Sequence, residues 1–229
     1  MRYTVKHKIT RLCNHQFRTA NLVAMLSPLL HDKDDLSSRA KLRLSALELY
    51  ALRGETSSSV RDIAQHAGVA PGLVRHYYGS KRGLTRAVDD DILRLVSDTL
   101  DAVPVTGSVG EISAARDAAF ERLLAERPLV AGYVRQSLLQ AHSEEETLLD
   151  RLVDLTLEQT RRLSEQGFSP RRSTRESVFA TVVRQVSHVV VAPAAQRVWQ
   201  RLGDHLPDQG GAAVPRTYIS VEQADGTDA

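Results

Sequence analysis

The chain has 229 residues and a mass of 25.3 kDa, enough for one or two domains with a buried core. Hydrophobic residues make up 42% and charged residues 25%, as in an ordinary globular protein, and the single cysteine, Cys13, excludes an internal disulfide or a zinc site built on several cysteines. The net charge of +2 combines +3 in residues 1–36, +4 in residues 37–90 and −5 in residues 91–229, a distribution that favours contact between the N-terminal part and a polyanion.

The first 36 residues show no clean periodicity, and we treat them as a flexible N-terminal extension. Two interpretations stay open: a basic arm, or a translation start placed too early, with Met25 as the second start. No apolar run approaches the roughly 18 residues that span a bilayer, and residues 20–30 lack a following cleavage site. We therefore expect a cytoplasmic protein with no membrane partner.

Strand signals are nearly absent, and apolar residues recur with helical spacing from about residue 38 to 203, which predicts an all-α fold. In the first helix Leu42, Ala46 and Tyr50 form a stripe, and Gly54 ends it. After Pro207 the sequence is rich in Gly, Asp and Gln, so a disordered tail is expected over 207–229. The predicted helices are 38–53, 60–67, 71–78, 81–100, 111–126, 128–141, 144–166, 175–191 and 194–202.

Residues 59–78 carry the most informative pattern, a short helix, a glycine turn and a second short helix. Ala64 is small enough for two helices to cross closely, and Gly68 stands where the turn needs a positive φ. Ile63, Val69 and Val74 are apolar where the helices would face each other. This pattern predicts a helix-turn-helix that reads DNA, with an ordinary helical hairpin as the alternative.

The start of the second short helix would meet base edges in the major groove. Arg75 is the one side chain there that can bond guanine in bidentate fashion, whereas Pro71 and Leu73 offer only apolar contact. Tyr77 is left open between core packing and a phosphate contact, and Tyr78 is assigned to the core. Predicted base contacts are Ala70, Pro71, Gly72, Leu73, Arg75 and His76, and predicted phosphate contacts are Ser58, Ser59, Tyr77 and Lys81.

The order and spacing of several segments between residues 38 and 88 resemble the N-terminal domain of TetR-family transcriptional regulators. Glu55 departs from the family, which usually has an aromatic residue there, and this departure predicts looser packing under the first helix. Arg75, His76 and Tyr77 also differ from the commoner residues, which makes the operator sequence unpredictable. The matching segments are 46–50, 53–54, 59–64, 67–69, Gly72 and 78–81.

The resemblance implies a three-helix DNA-binding domain, taken here as residues 37–88, followed by a helical domain over 89–206 that binds an effector and forms a dimer. By family position, Ser58, Tyr77 and Lys81 contact the DNA backbone. The last two long helices would form the dimer interface across a two-fold axis. Their apolar stripe, which includes Phe179, Val190 and Trp199, fits an internal core equally well.

The resemblance also implies a small-molecule effector, for which the sequence offers only candidate contacts: Tyr133, Gln136, His142, Phe179 and His188. No cofactor or metal is expected, and no enzymatic activity. Ser38 and Lys41 match a short catalytic motif, but its companion motifs are missing. The sequence thus predicts a homodimeric, ligand-responsive repressor on a palindromic operator in double-stranded DNA. A DNA-binding protein without an effector is the alternative.

Overall fold

The computed structural model describes residues 37–140, 146–168 and 172–205. Within these ranges the chain is built from helices and connecting turns, without strands, which confirms the all-α prediction. The predictions for residues 1–36, for the tail 207–229 and for His142 lie outside the described residues. The helices in the described ranges are α1 (Ser38–Arg53), α2 (Val60–Ala67), α3 (Gly72–Tyr78), α4 (Lys81–Asp101), α5 (Val109–Glu126), α6 (Pro128–Leu139), α7 (Leu148–Glu165), α8 (Thr174–Val190) and α9 (Ala192–His205).

Local signals determine most of the helix boundaries. Ser59 caps α2 through a reciprocal pair of hydrogen bonds with Asp62, at 3.1 and 2.9 Å. The same arrangement begins α7 at Leu148, because Thr147 pairs with Asp150 and not with an earlier residue. The predicted start of this helix at residue 144 was therefore early. Helix α9 begins two residues earlier than predicted, because Pro193 is tolerated in the first turn of a helix.

A single apolar core joins the two ends of the described chain. Leu42, Tyr50 and Ile63 of the N-terminal helices lie in one cluster with Val130 of α6 and Val189 of α8. Helix α1 packs against α2, α4 and α6, and α4 runs on from the N-terminal helices into the C-terminal ones. The orientation of the N-terminal helices is therefore tied to the C-terminal helices through direct packing as well as through α4.

Gly132 lets α1 and α6 approach closely. A Cβ atom at this position would lie 3.3 Å from both the Cβ and the carbonyl oxygen of Ala51. Replacing Gly132 with leucine would force the helices apart, and overpacking of this kind costs about 1–3 kcal/mol. We expect the variant to melt at a lower temperature, by about 2–4 °C for each kcal/mol, in thermal unfolding followed by circular dichroism.

Gly110 provides the matched control. It also lies in a helix, but the nearest atom to its Cβ position is Ser108 Oγ, at 4.0 Å. The variant Gly110→Leu should keep the melting temperature of the parent or raise it, because leucine forms helices better than glycine. Equal melting temperatures for the two leucine variants would contradict the assigned role of Gly132.

No single helix among the described residues is long and apolar enough to cross a membrane. Helices α8 and α9 satisfy the length and composition criteria only when taken together, and they meet at a bend of 48°.

Candidate nucleic-acid interface and interdomain cavity

Helices α2 and α3 form the helix-turn-helix that the sequence predicted. Ile63 and Ala64 of α2 and Val74 of α3 are at most 1% exposed, so the two helices share a closed apolar interface. Gly68 ends α2 at φ 68°, in the left-handed region that glycine adopts with little strain. The turn therefore fixes α3 across α2, and α3 also packs against α1 and α4, which leaves its outer face free to meet a partner.

Most of the predicted base contacts lie on the outer face of α3. Arg75 is exposed, and its guanidinium forms no ion pair within the described ranges. The rings of His76 and Tyr77 meet edge to face with centroids 4.8 Å apart, and both residues are exposed. Leu73 is different, because it is partly buried against the core. The exposed set on this face is Ala70, Pro71, Gly72, Arg75, His76 and Tyr77.

The predicted phosphate contacts divide into exposed and occupied groups. Ser59 is exposed at the start of α2, although its hydroxyl already caps the helix. Ser58 is only 1% exposed, and its hydroxyl donates to the carbonyl of Gly54 at 2.9 Å and accepts from Arg53 at 3.3 Å. Ser58 was predicted to contact a phosphate, but its side chain is buried against the Gly54 turn and does not belong to the candidate interface.

Lys81 stabilises the loop between α1 and α2. Its ammonium group donates to the carbonyl oxygen of Glu55 at 2.6 Å and lies 6.0 Å from the ring centroid of Tyr50. The Glu55 carboxylate accepts from the Thr85 hydroxyl at 2.9 Å. Hydrogen bonds from α4 therefore take the place of an aromatic ring's contacts at Glu55, and Glu55 also lines a cavity beside α1 and α4.

Tyr78 links the end of α3 to α1 and α4, a connection that the sequence did not reveal. It packs on the core as predicted, and its hydroxyl donates to the carbonyl of Arg39 at 2.6 Å. Arg43 reaches the same hydroxyl at 3.5 Å and forms an ion pair with Asp91 of α4 at 3.0 Å. Burial raises the pKa of the Tyr78 hydroxyl, which stays a neutral donor near neutral pH. Tyr78 and Arg43 thus connect the end of α3 to α4.

A cavity of about 290 Å³ lies between the N-terminal and C-terminal helices. Its walls come from α1, α4, α6 and α7 and from the loop after α1. Two of the predicted effector contacts, Tyr133 and Gln136, line this cavity. Phe179 and His188 do not. Phe179 is 56% exposed on α8, and the Nε2 atom of His188 lies 3.0 Å from a Glu121 carboxylate oxygen.

Two acids and two tyrosines form the inner wall of this cavity. The Tyr133 hydroxyl donates to Asp89 Oδ1 at 2.5 Å, and the rings of Tyr133 and Tyr50 stack with centroids 6.2 Å apart. The pKa of Asp89 is raised to about 6, chiefly by desolvation and less by the charge of Glu55, against the lowering effects of Tyr133 and Arg151. Burial also raises the pKa of both tyrosines well above the ordinary value. The wall is therefore rich in acceptors, with two phenols that stay protonated.

The pKa of Asp89 predicts how stability depends on pH. Its folded-state pKa, about 6, lies above the ordinary value of 3.8, so the folded protein holds the proton more tightly. The contribution to stability is complete below pH 3.8 and is lost as the pH rises through 6. Two pH units correspond to about 3 kcal/mol at most. We expect the wild type to lose stability relative to Asp89→Asn between pH 4 and pH 7, measured by urea unfolding.

Asp98→Asn is the control for this pH series, because Asp98 is an exposed carboxylate on the same helix. The difference in stability between the Asp98→Asn variant and the wild type should change little between pH 4 and pH 7. A constant difference between the wild type and Asp89→Asn at all pH values would mean that Asp89 does not titrate in this window.

Comparisons with known proteins agree with the geometry of the N-terminal helices. The family model for bacterial regulatory proteins, tetR family, matches residues 43–88. The transcriptional regulatory protein RaaS of Mycobacterium tuberculosis is 43% identical over 56 residues, which cover 24% of this chain and 26% of that protein. The transcriptional regulator BetI of Vibrio vulnificus is 32% identical over 95 residues, 40% of this chain and 48% of that protein. The matches span a quarter to a half of these relatives, which are regulators and not enzymes.

Two solved structures share the overall fold. The transcriptional regulator FadR of Bacillus subtilis, determined in complex with stearoyl-CoA, has a TM-score of 0.55 at 16% identity and covers 69% of this chain and 88% of its own. A tetR-family regulator from Streptomyces coelicolor has a TM-score of 0.53 at 20% identity. The match covers 74% of this chain and 79% of that structure's chain. Residues 43–88, which contain the helix-turn-helix, therefore match the DNA-binding domain of the tetR family of bacterial regulatory proteins, and the described chain shares the fold of these two structures.

Proposed function

We propose that this protein is a sequence-specific DNA-binding regulator that represses transcription until a small molecule releases it from its operator. The exposed outer face of α3, with Arg75 free to bond a guanine, is the observation that carries the proposal. Its base contacts are Ala70, Pro71, Gly72, Arg75 and His76, with Leu73 at the edge, and its phosphate contacts are Ser59, Tyr77 and Lys81. The protein works in the cytoplasm, where its DNA is.

A homodimer supplies the second recognition helix. Val198 is 60% exposed and Leu202 45% exposed on α9, a helix with no buried residue. Phe179 on α8 and Val191 at its end are also exposed apolar residues, at 56% and 42% exposed. Burial of these side chains against a second copy favours a two-fold dimer. Its two α3 helices would enter successive major grooves, about 34–36 Å apart, on a palindromic operator.

Helix α4 connects the operator-binding face to the interior. Its N-terminal end holds Lys81 against the loop after α1, and its middle carries Asp89 on the cavity wall and Asp91 in the link to Arg43 and Tyr78. An effector that moves α4 would change the spacing of the two recognition helices. By thermodynamic linkage, operator DNA would weaken effector binding by the same factor by which the effector weakens operator binding. The cavity favours this reading over a DNA-binding protein without an effector.

A titration with the DNA that flanks the protein's own gene tests the proposal. A scrambled fragment of equal length serves as the control, at two salt concentrations. Preference for the native fragment by roughly 10³-fold or more would support a specific regulator. Equal binding to both fragments, with steep salt dependence, would mean that the protein contacts only the phosphate backbone, and it would contradict the proposal.

A further inference from the structure

The cavity wall holds carboxylate oxygens with open acceptor positions. Asp89 Oδ1 is taken by Tyr133, but Asp89 Oδ2 lies 4.0 Å from the nearest guanidinium nitrogen of Arg151, too far for a hydrogen bond. Glu55 accepts through Oε1 from Thr85, and no cation within the described ranges pairs with its carboxylate. One oxygen of each acid is therefore free to accept a hydrogen bond from a molecule in the cavity.

The two acids are close enough to interact. The Thr85 hydroxyl lies 2.9 Å from Glu55 Oε1 and 3.1 Å from the Tyr50 hydroxyl, and the Tyr50 ring stacks on Tyr133, which bonds Asp89. All four groups line the cavity, and the charge of Glu55 raises the pKa of Asp89. Two carboxylates in a partly desolvated pocket repel each other, and a cation between them would relieve that repulsion. The stacked rings of Tyr50 and Tyr133 add aromatic surface beside the acids.

The cations of the outer wall already have acidic partners. Arg86 pairs with Glu146 at 2.7 Å, and Arg151 bonds Asp90, whose carboxylate is not among the cavity-lining groups. Arg82 is exposed at the rim and also has a partner. Arg151 also lies within ion-pair distance of Asp89, at 4.0 Å. Glu55 is therefore a charged group of this cavity that has no ion-pair partner within the described ranges.

We propose that this cavity is the effector site and that its ligand is a small molecule bearing a protonated primary or secondary amine, bonded through its N–H groups by Glu55 and Asp89. The role of this ligand as an effector rests on the proposed function, whereas the binding of the ligand in the cavity does not. The cavity volume of 290 Å³ is at the lower end of small-molecule sites, so the ligand is compact. Because Glu55 and Asp89 each present an acceptor oxygen to the cavity, amines with N–H donors are favoured over quaternary ammonium groups.

The position of Glu55 explains how such a ligand would act. Glu55 lies in the loop between α1 and α2, and its carbonyl oxygen accepts a hydrogen bond from Lys81 at the start of α4. Asp89 lies two turns further along α4. An amine bonded to both acids would clamp the loop to α4. The helix-turn-helix would then change its orientation relative to the C-terminal helices.

Calorimetric titration of the full chain with matched probes tests the proposal. The amines are benzylamine and 1,4-diaminobutane, and the comparison compounds of the same shape are benzyl alcohol, 1,4-butanediol and benzoate. We expect at least one amine to bind with a Kd below about 1 mM, and the alcohols and benzoate to bind at least tenfold more weakly. Failure of both amines to bind, or tighter binding of benzoate, would overturn the proposal.

Variants locate the binding to the two acids. Glu55→Gln and Asp89→Asn keep the side-chain shape and remove the charge, and each should weaken amine binding by about tenfold or more. Asp98→Asn, an exposed carboxylate elsewhere on α4, should bind as the parent does. Parent-like affinity in both cavity variants would contradict the assignment even if an amine binds.

The two proposals fail separately. Amine binding is measured without DNA, so a protein that binds an amine but ignores operator DNA would refute the regulator function and leave the site standing. A protein that binds its operator but no amine would refute the site and leave the function standing. Addition of the bound amine to the operator complex should release the DNA, and unchanged operator affinity would contradict the role of effector.

Discussion

Replacing Arg75 with alanine is expected to lower operator affinity by about 1–3 kcal/mol, roughly 5- to 150-fold. Arg75 is exposed on α3 and forms no ion pair within the described ranges, so its removal leaves the fold intact. The loss should be concentrated at one base pair of each half-site, because bidentate bonding to guanine is lost. Binding to scrambled DNA should weaken much less. Fluorescence anisotropy with parent and single-substituted operators measures both effects.

Arg122→Ala is the matched control, since Arg122 is an exposed arginine on α5, far along the chain from α3. It removes one positive charge without touching the recognition helix and should leave operator preference unchanged. If Arg75→Ala kept the parent's affinity and base preference, Arg75 would not read the operator. If Arg122→Ala weakened binding equally, net charge alone would explain the effect.

Replacing Val198 with aspartate is expected to dissociate the dimer and to reduce operator affinity by about 10²- to 10⁴-fold. Val198 is 60% exposed on α9, so the substitution adds no strain within one protomer. In the dimer the carboxylate would be buried next to apolar side chains without a partner, at a high desolvation cost. With only one recognition helix, each protein loses the gain from simultaneous binding of two half-sites.

Gln200→Asp places the same charge on another face of α9 and should remain dimeric. Sedimentation equilibrium gives the mass of each variant, and circular dichroism shows that the helices are kept. A Val198→Asp protein that stays dimeric with parent-like operator affinity would exclude this face of α9 as the interface. A parent protein that is monomeric at micromolar concentration would do the same.

The helix-turn-helix was predictable because its signals are local. Gly68 marks the turn, and the apolar residues Ile63, Ala64 and Val74 lie at the spacing that two crossed helices require. The first two helices begin and end where the sequence predicted, since Gly54 and the capping pair of Ser59 and Asp62 act within a few residues. Such signals need no knowledge of the tertiary structure.

The burial of Ser58 could not be read from sequence spacing. A serine before a helix is a common phosphate contact, but here its hydroxyl turns back to the Gly54 carbonyl and to Arg53. The orientation depends on the geometry of the six-residue loop between α1 and α2, whose Glu55 carbonyl is also bonded by Lys81 of α4. Tyr78 is similar, because its partners Arg39 and Arg43 both lie on α1, more than thirty residues earlier in the sequence.

The cavity was only partly predictable. Tyr133 and Gln136 were nominated as candidate effector contacts for their chemistry, and the structure brings both to the cavity. Glu55 and Asp89 were not nominated, since nothing in the sequence shows that the loop after α1 meets α4 and α6. Glu55 did stand out as a departure from the family pattern. That departure, with its position at the cavity wall, is the signal that could have found the site.

A hydroxyl-radical footprint of the protein on the DNA fragment that it prefers tests whether a dimer reads a palindromic operator. We expect two protected segments on one face of the duplex, related by two-fold symmetry, with centres about one helical turn apart. Arg75→Ala should weaken both segments equally. Continuous, salt-sensitive protection without symmetry, or a single protected segment, would contradict a dimer that reads a palindromic operator.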